Sequence, residues 1–156
     1  MLRAFPGGEH IPLTVLLADP HPVFRRALKS LLEQKRFKVL ADCPDGVAAV
    51  CLAAKLQPDV AILELVMSGL TGWDATRLIS RVSPQTKVIL LTMHPEEQDV
   101  AEAREAGAKA FIPKLKAATC VIEAIWEIVR GSTYFPHVPP GPAPTRAAII
   151  SWPTSD

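Results

Sequence analysis

Five short apolar runs recur along the chain, and each is followed by a turn and a segment of helical period. The runs stay apolar almost throughout instead of alternating with polar residues. This pattern is typical of strands covered on both faces, as in a parallel sheet. The strand candidates are residues 13–18, 37–42, 60–65, 87–92 and 110–112.

Helical segments separate the predicted strands. The first carries an apolar stripe at helical spacing, and Pro22 suits its first turn because that position needs no N–H donor. The fourth is followed by Gly107, a typical C-cap residue. The second to fifth helix candidates are residues 45–56, 72–82, 96–106 and 118–129. Strict alternation predicts an α/β fold, a flavodoxin-like, doubly wound parallel sheet with strand order 2-1-3-4-5.

The two ends of the chain differ in composition from this middle part. Residues 1–12 are interrupted by prolines and glycines and predict a flexible lead-in, while residues 13–134 form the predicted domain. Residues 135–156 form a proline-rich tail, whose segment VPPGPAP favours an extended, largely disordered conformation. The tail is too short to predict a second domain.

Composition argues against several classes of protein. A formal net charge of +1 is too small an excess of positive charge to indicate binding to nucleic acid or to an anionic membrane. No apolar run approaches the roughly 20 residues that cross a bilayer. Cys43, Cys51 and Cys120 form no C-x-x-C pair, which argues against a disulfide framework or zinc site and suits a reducing compartment. We therefore expect a cytoplasmic protein without a membrane partner.

Polar residues mark the ends of four predicted strands. Asp19 follows the first run, Glu64 lies near the end of the third, Thr92 ends the fourth, and Lys114 follows the fifth. The carboxyl ends of parallel strands meet at one edge of a sheet, and ligands bind there where the strand order reverses. We expect these side chains to share one crevice.

The sequence around these residues resembles a known family. The resembling stretches, in family order, are LLADPHPVFRRALKSLLE, PDVAILELVMSGLTGWDATRLI, TKVILLTMH and EAGAKAFIPK. Residues 13–134 resemble the receiver domain of two-component response regulators, especially of the NarL/FixJ class. The resemblance implies that Asp19, Thr92 and Lys114 belong to a phosphorylation pocket. It also implies that Phe111 is the aromatic switch residue, with an ordinary core position as the open alternative.

Two positions of the implied pocket differ from the family's pattern. The family holds Mg²⁺ with two adjacent acids, which here are Asp19 and Pro20, and its phosphoryl-accepting Asp is here Glu64. Pro20 supplies neither a side-chain oxygen nor an N–H donor, so we expect weak or absent Mg²⁺ binding, with Asp19 a weak candidate ligand, and no other cofactor. The extra methylene of Glu64 displaces its carboxylate by up to about 1.5 Å. Both changes predict slow phosphoryl transfer, because that reaction depends on positioning and metal neutralisation.

The longer side chain of Glu64 suggests a second role. It can reach Lys114 and Thr92, which favours a permanent contact that fixes the conformation of the domain. Partial mimicry of a phosphoryl group and a purely structural ion pair stay open as alternatives. His21 and His94 flank the crevice, where solvated loop histidines are the commoner case.

Together these departures favour an atypical receiver: a signalling module that works without phosphorylation, binds protein partners and is not an enzyme. The expected partners are a histidine kinase or another regulator, together with a second copy in a homodimer. Direct nucleic-acid binding is not expected, because no helix-turn-helix follows the predicted domain. The alternative is a functional phosphoacceptor response regulator that controls transcription through a DNA-binding output lost or supplied by a partner.

Overall fold

A short two-stranded sheet opens the chain. The structure, a computed structural model, describes residues 2–4 and 10–135. Strands β1 (Leu2–Ala4) and β2 (His10–Pro12) pair antiparallel, with Leu2 opposite Pro12. The sequence predicted no strand here, because three residues are too few to show a period. Residues 136–156, almost the whole predicted tail, lie outside the described residues, and its disorder stays a prediction.

Five parallel strands form the central sheet. They lie in the order β4-β3-β5-β6-β7, which is 2-1-3-4-5 when counted within this sheet. All four neighbouring pairs are parallel. The predicted fold class is confirmed. The strands are β3 (Thr14–Ala18), β4 (Lys38–Cys43), β5 (Val60–Glu64), β6 (Lys87–Thr92) and β7 (Ala110–Pro113).

Five α-helices connect and cover these strands. Both ends of each helix lie within a few residues of the positions that periodicity predicted, which is the usual precision for helix ends. A single 3₁₀ turn, Lys114–Lys116, leads from the last strand into the last helix. The helices are α1 (Pro22–Gln34), α2 (Gly46–Leu56), α3 (Gly72–Val82), α4 (Glu97–Ala106) and α5 (Ala117–Val129).

Alternate residues of each strand serve two separate cores. Val15 and Leu17 of β3 pack with residues of α1 and α5 on one face, whereas Leu16 and Ala18 pack with residues of α2, α3 and α4 on the other. Successive side chains of a strand point to opposite faces, so a strand covered on both sides must be apolar at every position. This explains why the strands read as continuous apolar runs.

Polar groups fix several helix ends. The Asp45 side chain accepts a hydrogen bond from the Ala48 backbone N–H at the start of α2. The Thr71 side chain accepts one from the Asp74 backbone N–H at the start of α3. Gly107 ends α4 with a φ of 98°, in the left-handed region that costs glycine little. Within the part of the chain that the structure describes, every helix is too short or too polar to cross a bilayer.

The three cysteines are unpaired. Cys43 is buried at the end of β4, and burial raises the pKa of its thiol to about 11. A thiol that stays protonated at neutral pH is a poor nucleophile and metal ligand. Cys43 therefore serves as a small apolar residue of the core.

The loop from β5 to α3 folds tightly back on the strand that precedes it. The Gly72 N–H donates to the Leu65 carbonyl oxygen at 2.7 Å. A Cβ atom at Gly72 would lie 2.8 Å from the Glu64 carbonyl oxygen and 2.8 Å from the Leu65 Cα. Glycine at this position thus lets the start of α3 approach the backbone that carries Glu64.

We predict that Gly72→Ala lowers the free energy of unfolding by about 3 kcal/mol, because the added methyl group meets backbone that has no room to move. Gly107→Ala is the control: it meets nothing within 4 Å and should cost only about 1 kcal/mol of left-handed strain. Chemical denaturation of both variants measures the difference. Equal losses would show that the loop is not packed against Gly72 as described.

Candidate functional site

The four polar residues predicted to share a crevice come together at the carboxyl edge of the sheet. Asp19 follows β3, Glu64 ends β5, Thr92 ends β6 and Lys114 follows β7. All four are buried, with 4%, 4%, 4% and 6% of their surface exposed. The sheet reverses its strand order between β3 and β5, so the cluster lies at the switch point.

The Lys114 ammonium group is the centre of the cluster. Its Nζ lies 2.6 Å from Asp19 Oδ2 and 2.9 Å from Glu64 Oε2, and all three side chains are at most 6% exposed. Neither carboxylate oxygen accepts an aligned hydrogen bond, so these contacts are ionic in character. A buried charge is expensive unless it is paired, and here one cation holds two anions.

Two residues of the first helix region complete the surroundings of Lys114. His21 Nδ1 lies 3.1 Å from Lys114 Nζ, and the Phe24 ring centroid lies 4.3 Å from the same atom, within cation–π distance. The side chain of His21 is 66% exposed, as expected of a solvated loop histidine, although its Nδ1 contacts Lys114. No sequence signal marked Phe24, which reads as one more member of an apolar stripe.

Asp19 is held from several directions. Its Oδ1 accepts a hydrogen bond from the His21 backbone N–H at 2.8 Å and lies 3.1 Å from His21 Nδ1. Its carbonyl oxygen accepts a hydrogen bond from Arg25 Nη1 at 2.6 Å, and Arg25 Nε donates to Asp42 Oδ1 at 2.8 Å. Burial opposes the charge on Asp42, but the hydrogen bonds from Arg25 and Lys29 outweigh it and lower the pKa of that carboxyl. Asp19 therefore serves the turn into α1 and the ion pair at once.

Glu64 folds back onto its own loop. Its Oε1 accepts backbone hydrogen bonds from Leu65 at 2.9 Å and from Val66 at 3.3 Å, while Oε2 faces Lys114. The extra methylene of a glutamate makes this turn possible, since it gives the carboxylate reach in both directions. Both oxygens of Glu64 are therefore positioned by the protein.

An open pocket of about 540 Å³ adjoins the cluster. Glu64 and Thr92 line it together, with Trp73 and His94 on its outer part. This size lies within the range of small-molecule sites, and the pocket extends to Glu64. The sequence placed His94 beside the crevice, and the structure agrees.

Phe111 lies in the core, not in the pocket. Its side chain is 0% exposed and packs in the cluster that covers the α2–α4 face of the sheet. Its backbone N–H donates to the Tyr134 carbonyl oxygen at 3.0 Å. The structure contains one position of this ring, and its role as a switch stays a prediction.

Comparison with known proteins identifies the family. The sequence model of the response regulator receiver domain matches residues 15–125. The chain belongs to this receiver family. In the structure of the signal receiver domain of the putative response regulator NarL from Mycobacterium tuberculosis, 98% of that chain aligns with 77% of this one, with a TM-score of 0.73 and 29% identity.

Curated relatives of the receiver are response regulators. The transcriptional regulatory protein DegU of Brevibacillus brevis is 32% identical over 123 residues, covering 78% of this chain and 52% of that protein. The nitrate/nitrite response regulator protein NarP of Escherichia coli (strain K12) is 34% identical over 128 residues, covering 81% of this chain and 60% of that protein. The chain thus spans about half to three-fifths of the length of these relatives.

These relatives correct one expectation from the sequence. The interpretation of the receiver as a phosphorylation-independent interaction module is wrong, because its relatives are response regulators and transcriptional regulators and Asp19 of the pocket is present. The changes at Pro20 and Glu64 do not by themselves indicate a loss of function. The alternative, a functional response regulator, is favoured.

The family's Mg²⁺ does not fit the donor set of this receiver. Lys114 already pairs with Asp19 Oδ2 and Glu64 Oε2, the oxygens that a metal would need. Pro20 offers no side-chain oxygen, whereas Mg²⁺ requires a near-ideal octahedron of oxygen ligands. In residues 2–4 and 10–135, His, Cys, Asp and Glu form no group of three or more suited to a metal ion.

We predict that Lys114→Met lowers the free energy of unfolding by about 3–5 kcal/mol, because it leaves two buried carboxylates without their cation. Urea denaturation at neutral pH measures the loss. Lys116→Met is the matched control, since Lys116 is exposed on the same 3₁₀ turn, and it should cost less than about 0.5 kcal/mol.

A double variant tests the cause of that loss. Adding Glu64→Gln to Lys114→Met removes one of the two uncompensated charges and should recover part of the stability. If the double variant were no more stable than Lys114→Met, the loss would come from packing and not from unpaired charge.

Proposed function

We propose that this receiver is the phosphate-accepting input module of a two-component response regulator that controls transcription. A histidine kinase donates the phosphoryl group, and Glu64 accepts it. The observation that carries the proposal is the position of Glu64: this residue ends a buried strand at the switch point and lines an open pocket together with Thr92.

The contacts around Glu64 suit a nucleophilic carboxylate. Two backbone N–H groups fix Oε1, and the Lys114 ammonium group faces Oε2. Positioning of the attacking group and charge stabilisation are the main contributions that a protein makes to phosphoryl transfer. Thr92 lines the same pocket, and its hydroxyl is a donor for the oxygens of the transferred group.

The transfer conserves atoms and charge. A Glu64 carboxylate oxygen attacks phosphorus, and the bond from phosphorus to the donor breaks with its electron pair on the leaving group. With acetyl phosphate as donor, the products are acetate and a glutamyl phosphate, and no proton is required. Lys114 then faces the additional negative charge that the phosphoryl group brings.

We also infer the output, assembly and location of the protein that contains this receiver. Transcriptional output requires a DNA-binding part beyond this receiver or on a partner, since the relatives that are transcriptional regulators are longer. The absence of direct DNA binding by the receiver itself and its assembly as a homodimer stay predictions. A cytoplasmic location is supported by three unpaired cysteines, which suit a reducing compartment.

We predict that acetyl phosphate labels the receiver with one phosphoryl group and that Glu64→Gln abolishes the label. An acyl phosphate is the expected product, so hydroxylamine should release it. Intact-protein mass spectrometry, with and without hydroxylamine, measures both properties. Thr92→Val should slow labelling by roughly tenfold through the loss of one hydrogen bond, or about 1.4 kcal/mol.

The matched control is Glu96→Gln, because Glu96 lines the same pocket on its outer part. This variant should be labelled like the native chain. Labelling that persists in Glu64→Gln would move the acceptor to another residue, and an unlabelled native chain would contradict the proposed function.

A further inference from the structure

We infer that Lys114 is the resident cation of this receiver and that phosphoryl transfer to Glu64 needs no divalent metal. The inference rests on the proposed function, because it concerns how the same site works. It follows from the disagreement between the family's Mg²⁺ and the donor set of this chain.

The first step is the coordination of the ammonium group. Three polar atoms lie within 3.1 Å of Lys114 Nζ: Asp19 Oδ2, Glu64 Oε2 and His21 Nδ1. The Phe24 ring covers the same nitrogen at 4.3 Å. The two carboxylates pair with its charge, and the ring adds a cation–π contact. This is a complete site for a monovalent cation that is covalently part of the chain.

The second step is the cost of replacing that cation. A divalent ion that bound Asp19 and Glu64 would have to displace the ammonium group from both oxygens. Lys114 would then keep its charge, on a side chain that is 3% exposed, without either carboxylate, which is unfavourable. The neighbouring position, Pro20, supplies no carboxylate to offset that cost.

Phosphoryl transfer to Glu64 also needs a positive charge at the site. Asp19 and Glu64 contribute two negative charges and Lys114 one positive charge, so the cluster carries a net charge of −1. An incoming phosphoryl group is itself anionic, and a cation must lie between it and the Asp19 carboxylate. Lys114 meets that need, because it already contacts both the acceptor and Asp19.

The test measures labelling and metal binding separately on the whole chain. Acetyl phosphate labelling is followed by intact mass, once in excess EDTA and once in millimolar Mg²⁺. Binding of Mn²⁺, a spectroscopic substitute for Mg²⁺, is followed by electron paramagnetic resonance without any phosphodonor. The native chain should be labelled at rates equal within about twofold in the two buffers, and it should bind no Mn²⁺ at millimolar protein.

Two variants of one residue provide matched controls. Pro20→Asp adds the second carboxylate, and it should bind Mn²⁺ and be labelled at least about tenfold faster in Mg²⁺ than in EDTA. Pro20→Ala removes the proline ring without adding a ligand, and it should behave like the native chain. Lys114→Gln should lose labelling in EDTA, with circular dichroism to establish that it is folded.

The outcomes separate the inference from the proposed function. Labelling of the native chain only in Mg²⁺, or Mn²⁺ binding by the native chain, would overturn the inference and leave Glu64 as the acceptor. No labelling in either buffer would overturn the proposed function and the inference with it. Equal labelling in EDTA and Mg²⁺ without Mn²⁺ binding supports both.

Discussion

The contact of Lys114 with two buried carboxylates is the interaction on which the carboxyl edge of the sheet depends. Lys114 follows β7, and it contacts Asp19 at the end of β3 and Glu64 at the end of β5. These charges are stable inside the protein only as a group, because each alone would have to leave water without compensation. The same group fixes the geometry in which Glu64 faces the pocket.

Helix α1 is tied to this ion cluster by polar and aromatic contacts. His21 and Phe24 contact Lys114, while Arg25 bridges the Asp19 carbonyl group and the Asp42 carboxylate at the end of β4. The start of α1 is therefore coupled to the charge state of the pocket. Lys114 thus links Glu64 to the beginning of α1 through direct contacts.

Fold and chemistry separate clearly in this receiver. The sheet order, the two cores and the glycine contact at Gly72 belong to the architecture, and none of them involves Pro20 or the side chain of Glu64. A change at a ligand position can therefore alter how the site is charged without disturbing the scaffold. The loss of a family ligand is therefore weak evidence for a loss of function, and the relatives favour a functional response regulator.

The sequence by itself determined the sheet and its helices, because both leave a local pattern. A strand covered on both faces must be apolar throughout, and a helix with one buried face has apolar residues at helical spacing. It also marked Asp19, Glu64, Thr92 and Lys114, because a polar residue at the end of an apolar strand stands out. Only the tertiary structure showed that Lys114 pairs with both acids and that His21 and Phe24 surround it. His21 and Lys114 lie 93 positions apart, and whether two side chains at that separation meet depends on tertiary packing and side-chain conformation, which no local pattern encodes.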